Sequence, residues 1–95
     1  MDIRFTQGAL SDLYGIYDYI VEANPDYAAK TLLRIETAID NLSNHPQLGR
    51  VSRHNGAREL IISGTPYIVA YTRDKGYLNI ISIIHSSRKG TVRFH

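Results

Sequence analysis

Five consecutive polar residues, His85, Ser86, Ser87, Arg88 and Lys89, follow directly on an apolar run of Leu78, Ile80, Ile81, Ile83 and Ile84. The run reads as a central strand, and the polar string leaves it at one end with two fixed positive charges and an imidazole. A packed strand ending in such a cluster presents cations rigidly to an anionic partner. A strand running out into solvent would produce the same string. His85, Ser86, Arg88, Lys89, Arg93 and His95 form one candidate patch. Arg50, Arg53, His54 and Arg58 form a second.

Other chemistries find little support. Ser86 or Ser87 beside His85 looks nucleophilic, but neighbours on an extended strand point to opposite faces and no acid stands by to orient the ring. There is no glycine-rich phosphate loop, no HExxH and no carboxylate cluster, and no metal or cofactor is expected. The chain has no cysteine, which excludes a disulfide frame and a thiolate metal site and fits a reducing compartment. Of its seven tyrosines, Tyr14 and Tyr17 fall on a helix, and Tyr67 and Tyr71 share a strand face. Core packing explains these better than base stacking.

Charge is unevenly placed. Residues 1–44 carry three basic and seven acidic side chains, net −4, whereas residues 45–95 carry eight and two, net +6, together with all four histidines. Such segregation points to an anionic partner for the C-terminal part: nucleic acid, a nucleic-acid enzyme or an acidic protein segment. The 95 residues suit one domain spanning 1–95. No apolar run approaches the roughly 18 residues that span a bilayer, and the start MDIRF lacks a secretory signal, so a cytoplasmic protein without membrane contact is expected.

The elements that would position these residues follow from periodicity. Residues 2–5 alternate as a short strand. Thr6 offers an N-cap, and Leu10, Leu13, Tyr17 and Ile20 then step at helical spacing. Asn24-Pro25-Asp26 closes this helix and opens a second, with Asn24 as cap and Pro25 in the first turn. Its apolar face is Ala28, Leu32, Ile35, Ile39 and Leu42, and the short link makes an antiparallel helical hairpin. A structureless loop is predicted over 45–56. Strands are predicted over 58–62, 67–72 and 77–84, joined by turns at Ser63-Gly64-Thr65 and Arg73-Asp74-Lys75-Gly76, the latter as a type I turn. The fold class is therefore α+β, in the order βααβββ, with the hairpin on one face of a small, mainly antiparallel sheet. In such a meander Arg58 and the His85 cluster lie at opposite ends.

Four phrases occur in one order: LSDLYGIYDYIVEANPDYA, HPQLGR, ARELIISGTPYIVAY and IISIIHSSRK. Together they resemble the RelE/ParE superfamily of toxins from type II toxin–antitoxin systems, over residues 3–89. The resemblance implies the same βααβββ fold and one of two activities. RelE-like members are ribosome-dependent mRNA endonucleases that work without metal, using basic residues and often a late tyrosine or histidine on the ribose hydroxyl and the phosphorane-like transition state. ParE-like members poison DNA gyrase by binding it. The long hairpin, the PxLGR loop and the HSSR end are more similar to the ParE side, and no tyrosine follows Tyr77. In a RelE-like enzyme Arg58, His85, Arg88, Arg93 and His95 would be the catalytic candidates. A non-toxic nucleic-acid-binding module is the third possibility.

The resemblance also implies an antitoxin whose acidic C-terminal segment folds on the toxin. Leu10, Leu13, Tyr14 and Tyr17 on the hairpin, with Arg88 at the basic end, are the expected contacts.

Overall fold

Thr6 ends the first strand and starts the first helix. Its hydroxyl oxygen accepts from the Ala9 N–H at 3.0 Å and donates to the Ile81 carbonyl at 3.0 Å. One side chain thus caps a helix and ties it to the sheet. The computed structural model describes residues 1–53 and 56–88. These form β1 (Asp2–Phe5), α1 (Gln7–Val21), α2 (Pro25–Asn44), β2 (Arg50–Val51), β3 (Arg58–Ile61), β4 (Tyr67–Asp74) and β5 (Tyr77–His85), with a closing 3-10 turn over Ser86–Arg88. Asn24 caps α2 through its side chain, accepting from the Tyr27 N–H at 3.1 Å, with Pro25 in the first turn as expected.

The five strands lie in the order β1-β5-β4-β3-β2. β1 runs parallel to β5, and every other neighbour is antiparallel. The α+β class and the βααβββ order therefore hold, with one addition. The loop predicted to be structureless contributes a two-residue strand, Arg50–Val51, paired with Glu59 and Arg58. Two residues carry too little alternation to be seen in sequence.

The β4–β5 turn also differs from expectation. Asp74 pairs with Tyr77, leaving only Lys75 and Gly76 in the loop. Both have positive φ, 49° and 84°. That is the sign pattern of a type I′ hairpin, whose twist matches the strands, rather than of a type I turn.

Ala9, Ile20, Ile35, Ile39 and Leu42 of the helices pack on Ile62, Val69, Tyr71, Leu78, Ile80 and Ile83 of the sheet. Residues 28, 35, 39 and 42 of α2 are buried on the stripe predicted from spacing. Glu59, Ile68, Ala70, Ser82 and Ile84 alternate onto the other sheet face and are buried there. No described helix is long and apolar enough to cross a membrane.

Candidate functional site

At one end of the sheet, β5 delivers His85 opposite Tyr67. Their rings meet edge to face, 5.6 Å between centroids at 87°, an arrangement the ring quadrupoles favour. The chain then turns sharply. Ser86 N–H donates to the Pro66 carbonyl at 2.7 Å, and Ser87 N–H donates to His85 Nδ1 at 3.1 Å. A backbone N–H can only donate, so Nδ1 carries no proton here and the ring proton sits on Nε2. Ser87 Oγ, 2.7 Å from the same nitrogen, is then its second donor. His85 thus caps the turn that follows it. Ser87 reaches the ring because the strand has ended, a return that extended geometry would not allow.

Tyr67 stands behind this cluster. Burial pushes its hydroxyl above the ordinary value of 10.0, with nearby Tyr27 and Tyr19 adding to the rise. Tyr67 therefore remains a neutral phenol at neutral pH. Among the described residues the ring of His85 has Ser87 as its hydrogen-bond partner.

The other end of the sheet is built on Tyr71. Its hydroxyl donates to the Pro46 carbonyl at 2.8 Å and accepts from the Gly49 N–H at 2.8 Å. Arg58 Nη1 donates to the Gly49 carbonyl at 2.7 Å. A first side-chain carbon on residue 49 would sit 2.5 Å from the Tyr71 hydroxyl and 2.9 Å from the Glu59 carbonyl. Glycine is required for this close approach. On the opposite sheet face Arg50 Nε lies 3.6 Å from Oε1 of Glu59, whose Oε2 accepts from Ser52 Oγ at 3.2 Å. Glu59 is buried and Arg50 is mostly exposed. The phrase HPQLGR thus encodes a clamp: a carbonyl from Pro46, a close approach at Gly49 and a counter-ion from Arg50.

This geometry divides the candidate residues. Arg58 pairs with Tyr71, and Tyr71 pairs with Ile80, five positions before His85. At roughly 3.3 Å per residue the two sites stand on the order of 15 Å apart along the strands. Arg50 pairs with Glu59, so it shares the face of Glu59, opposite to that of its fellow candidate Arg58. Arg53 is exposed in the bend beyond β2, and Ser86 is exposed in the closing turn. His54, Lys89, Arg93 and His95 lie outside the described residues, as does the side chain of Arg88.

On α1, Leu10, Tyr14 and Tyr17 form an exposed stripe at 36%, 64% and 37% accessibility, while Leu13 turns inward against the core. Among the described residues no three His, Asp or Glu side chains gather as a metal site. Sequence reasoning missed the roles of Tyr71, Gly49 and Glu59. The fixed spacing of Pro46, Gly49 and Arg50 was their one local signal.

Fold and clamp together define a small α+β domain, a helical hairpin on one face of a five-stranded sheet. Residues 3–90 match the family model described as ParE toxin of type II toxin-antitoxin system, parDE. The chain belongs to this family, within the RelE/ParE superfamily. Toxin RelE2 of Caulobacter vibrioides is 37% identical over 86 residues, 90% of this chain and 96% of that protein. Among solved structures, the chromosomal ParDE system of P. aeruginosa superposes with a TM-score of 0.80 at 26% identity, covering 90% of this chain and 95% of its own. The RelBE2 toxin–antitoxin complex of Mycobacterium tuberculosis gives 0.62 at 26% identity, covering 88% and 95%.

Proposed function

We propose that this toxin acts in the ParE manner, by binding DNA gyrase and holding it in its cleavage complex, without chemistry of its own. The observation that carries the reading is the separation of Arg58 from His85. General acid–base cleavage of a phosphodiester needs its groups within hydrogen-bond reach of one reacting centre. Here the two described candidates stand at opposite ends of the sheet, Arg58 engaged with a backbone carbonyl and His85 with Ser87. The closer superposition on the ParDE chain supports the same side.

Cleavage of mRNA on the ribosome is the second reading, favoured by the 37% identity to a protein named RelE2. The two separate in cells. Controlled expression of a gyrase poison induces the DNA-damage response and leaves transcripts whole. An endonuclease yields new transcript 5′ ends at ribosome-occupied codons with no damage response, and that result would refute the gyrase reading.

The partner that restrains the toxin is a cognate antitoxin with an acidic, apolar segment. The stripe of Leu10, Tyr14 and Tyr17 is open to receive its apolar side chains, with Leu13 supporting the stripe from beneath. Arg88 and the other basic residues of the second half suit its carboxylates.

A further inference from the structure

A pocket of about 180 Å³ opens beside the Tyr71 clamp, lined by Pro46, Gly56, Arg58, Tyr71, Thr72 and Arg73. Arg58 is directly opposite Tyr71, and Arg73 lies two residues beyond Tyr71 on the same strand. All three therefore start from one sheet face, with the two arginines at diagonal positions. Like charges so placed repel one another. Among the described residues the pocket lining contains no carboxylate and neither arginine has an ion-pair partner. Glu59, the acid closest in sequence to Arg58, points to the other face and is taken up by Arg50.

We propose that this pocket binds a phosphate-type oxyanion, gripped between Arg58 and Arg73. Arg58 is already oriented for such a ligand. One N–H is fixed on the Gly49 carbonyl at 2.7 Å, which holds the guanidinium in place and leaves its remaining donors free. The Tyr71 hydroxyl already donates once and accepts once, so it forms a wall. Burial raises its pKa, while the Gly49 N–H, Arg58 and Arg73 each pull the other way, so both guanidinium groups act on the same point. Two guanidinium groups from different strands suit a tetrahedral ion that can offer oxygens to each. A planar carboxylate is satisfied by a single fork. The site is at the far end of the sheet from His85 and does not depend on whether gyrase or the ribosome is the target.

The test follows the arginine Nε–H signals of the full chain by NMR during titration with sodium phosphate, chloride replacing phosphate at constant ionic strength. Saturable shifts at Arg58 and Arg73 are expected. Arg73→Gln should weaken the phosphate affinity about tenfold, as loss of a charge-assisted contact does. Arg73 is exposed, so the variant should keep its melting temperature, whereas replacing Arg58 would also disturb the loop. A short single-stranded oligonucleotide distinguishes the source of the phosphate. Tighter binding with the same Arg73 dependence identifies a backbone phosphodiester, and binding of inorganic phosphate alone identifies the free ion. Shifts that do not saturate, or an affinity unchanged in Arg73→Gln, would overturn the proposal. Acetate binding as tightly as phosphate would overturn it in favour of a carboxylate-bearing partner.

Discussion

Tyr71 is the residue on which one end of the molecule closes. It is fully buried in the core, yet its hydroxyl is the hydrogen-bond partner of both Pro46 and Gly49. Tyr71→Phe keeps the ring and strands a backbone N–H and a carbonyl, which should cost about 1–3 kcal/mol of unfolding free energy by denaturant titration. The same hydroxyl gives an alkaline dependence. Its folded pKa is raised above 10.0, burial being the largest cause. From about pH 10 upward the unfolded chain therefore ionises first and stability falls. Below that pH the group contributes no slope. Tyr67 is shifted in the same direction, so Tyr71→Phe should reduce the alkaline slope without abolishing it, as denaturation curves between pH 8 and 11 would show. Tyr71 was legible in the sequence as a core residue on a strand face. Its hydroxyl chemistry was not, because its partners are backbone groups more than twenty residues away, and backbone groups leave no residue type to read.

The helices show what spacing can and cannot specify. Thr6 and Asn24 occupy the cap positions, and Pro25 the first-turn position, that their chemistry suggested, because capping is local and uses adjacent residues. The short β2 and the type I′ turn at Lys75-Gly76 were not legible, since both depend on which residues pair across the sheet. Asp12 is a further long-range case. β1 ends opposite Ile80, so β5 continues past its neighbour, and Asp12 Oδ2 of α1 accepts the Ile83 N–H at 3.0 Å. A helix side chain thereby covers a strand edge that would otherwise be free to pair elsewhere. Asp12→Ala should speed hydrogen exchange at Ile83 and lower stability by about 1–2 kcal/mol. On the outer side of α1, Tyr14 is 64% exposed. Tyr14→Ala should leave the melting temperature almost unchanged while weakening antitoxin binding about tenfold or more, as removal of a central aromatic anchor does. Calorimetry on the toxin and the antitoxin segment measures both.

For the molecule as a whole, the order of elements was readable from periodicity, because burial patterns are spread along the chain, and the family from the resemblance that four short phrases carry. The functional ends were harder. Clustering in sequence suggested one patch around Arg50, Arg53 and Arg58, but β pairing sends Arg50 to the Glu59 face and Arg58 to the Tyr71 face. Arg73, which the sequence presented only as part of a turn, instead joins Arg58 at a pocket. Among the described residues the sheet therefore holds its cations in separate places instead of around a single reacting centre. A binding toxin can use such an arrangement, and an acid–base nuclease is poorly served by it. The most direct test gives purified, antitoxin-free toxin to gyrase with supercoiled plasmid, and in parallel to ribosomes carrying mRNA. Gyrase poisoning predicts linear plasmid after protein digestion, with the mRNA intact. Cut mRNA on the ribosome, together with plasmid that gyrase processes normally, would contradict it.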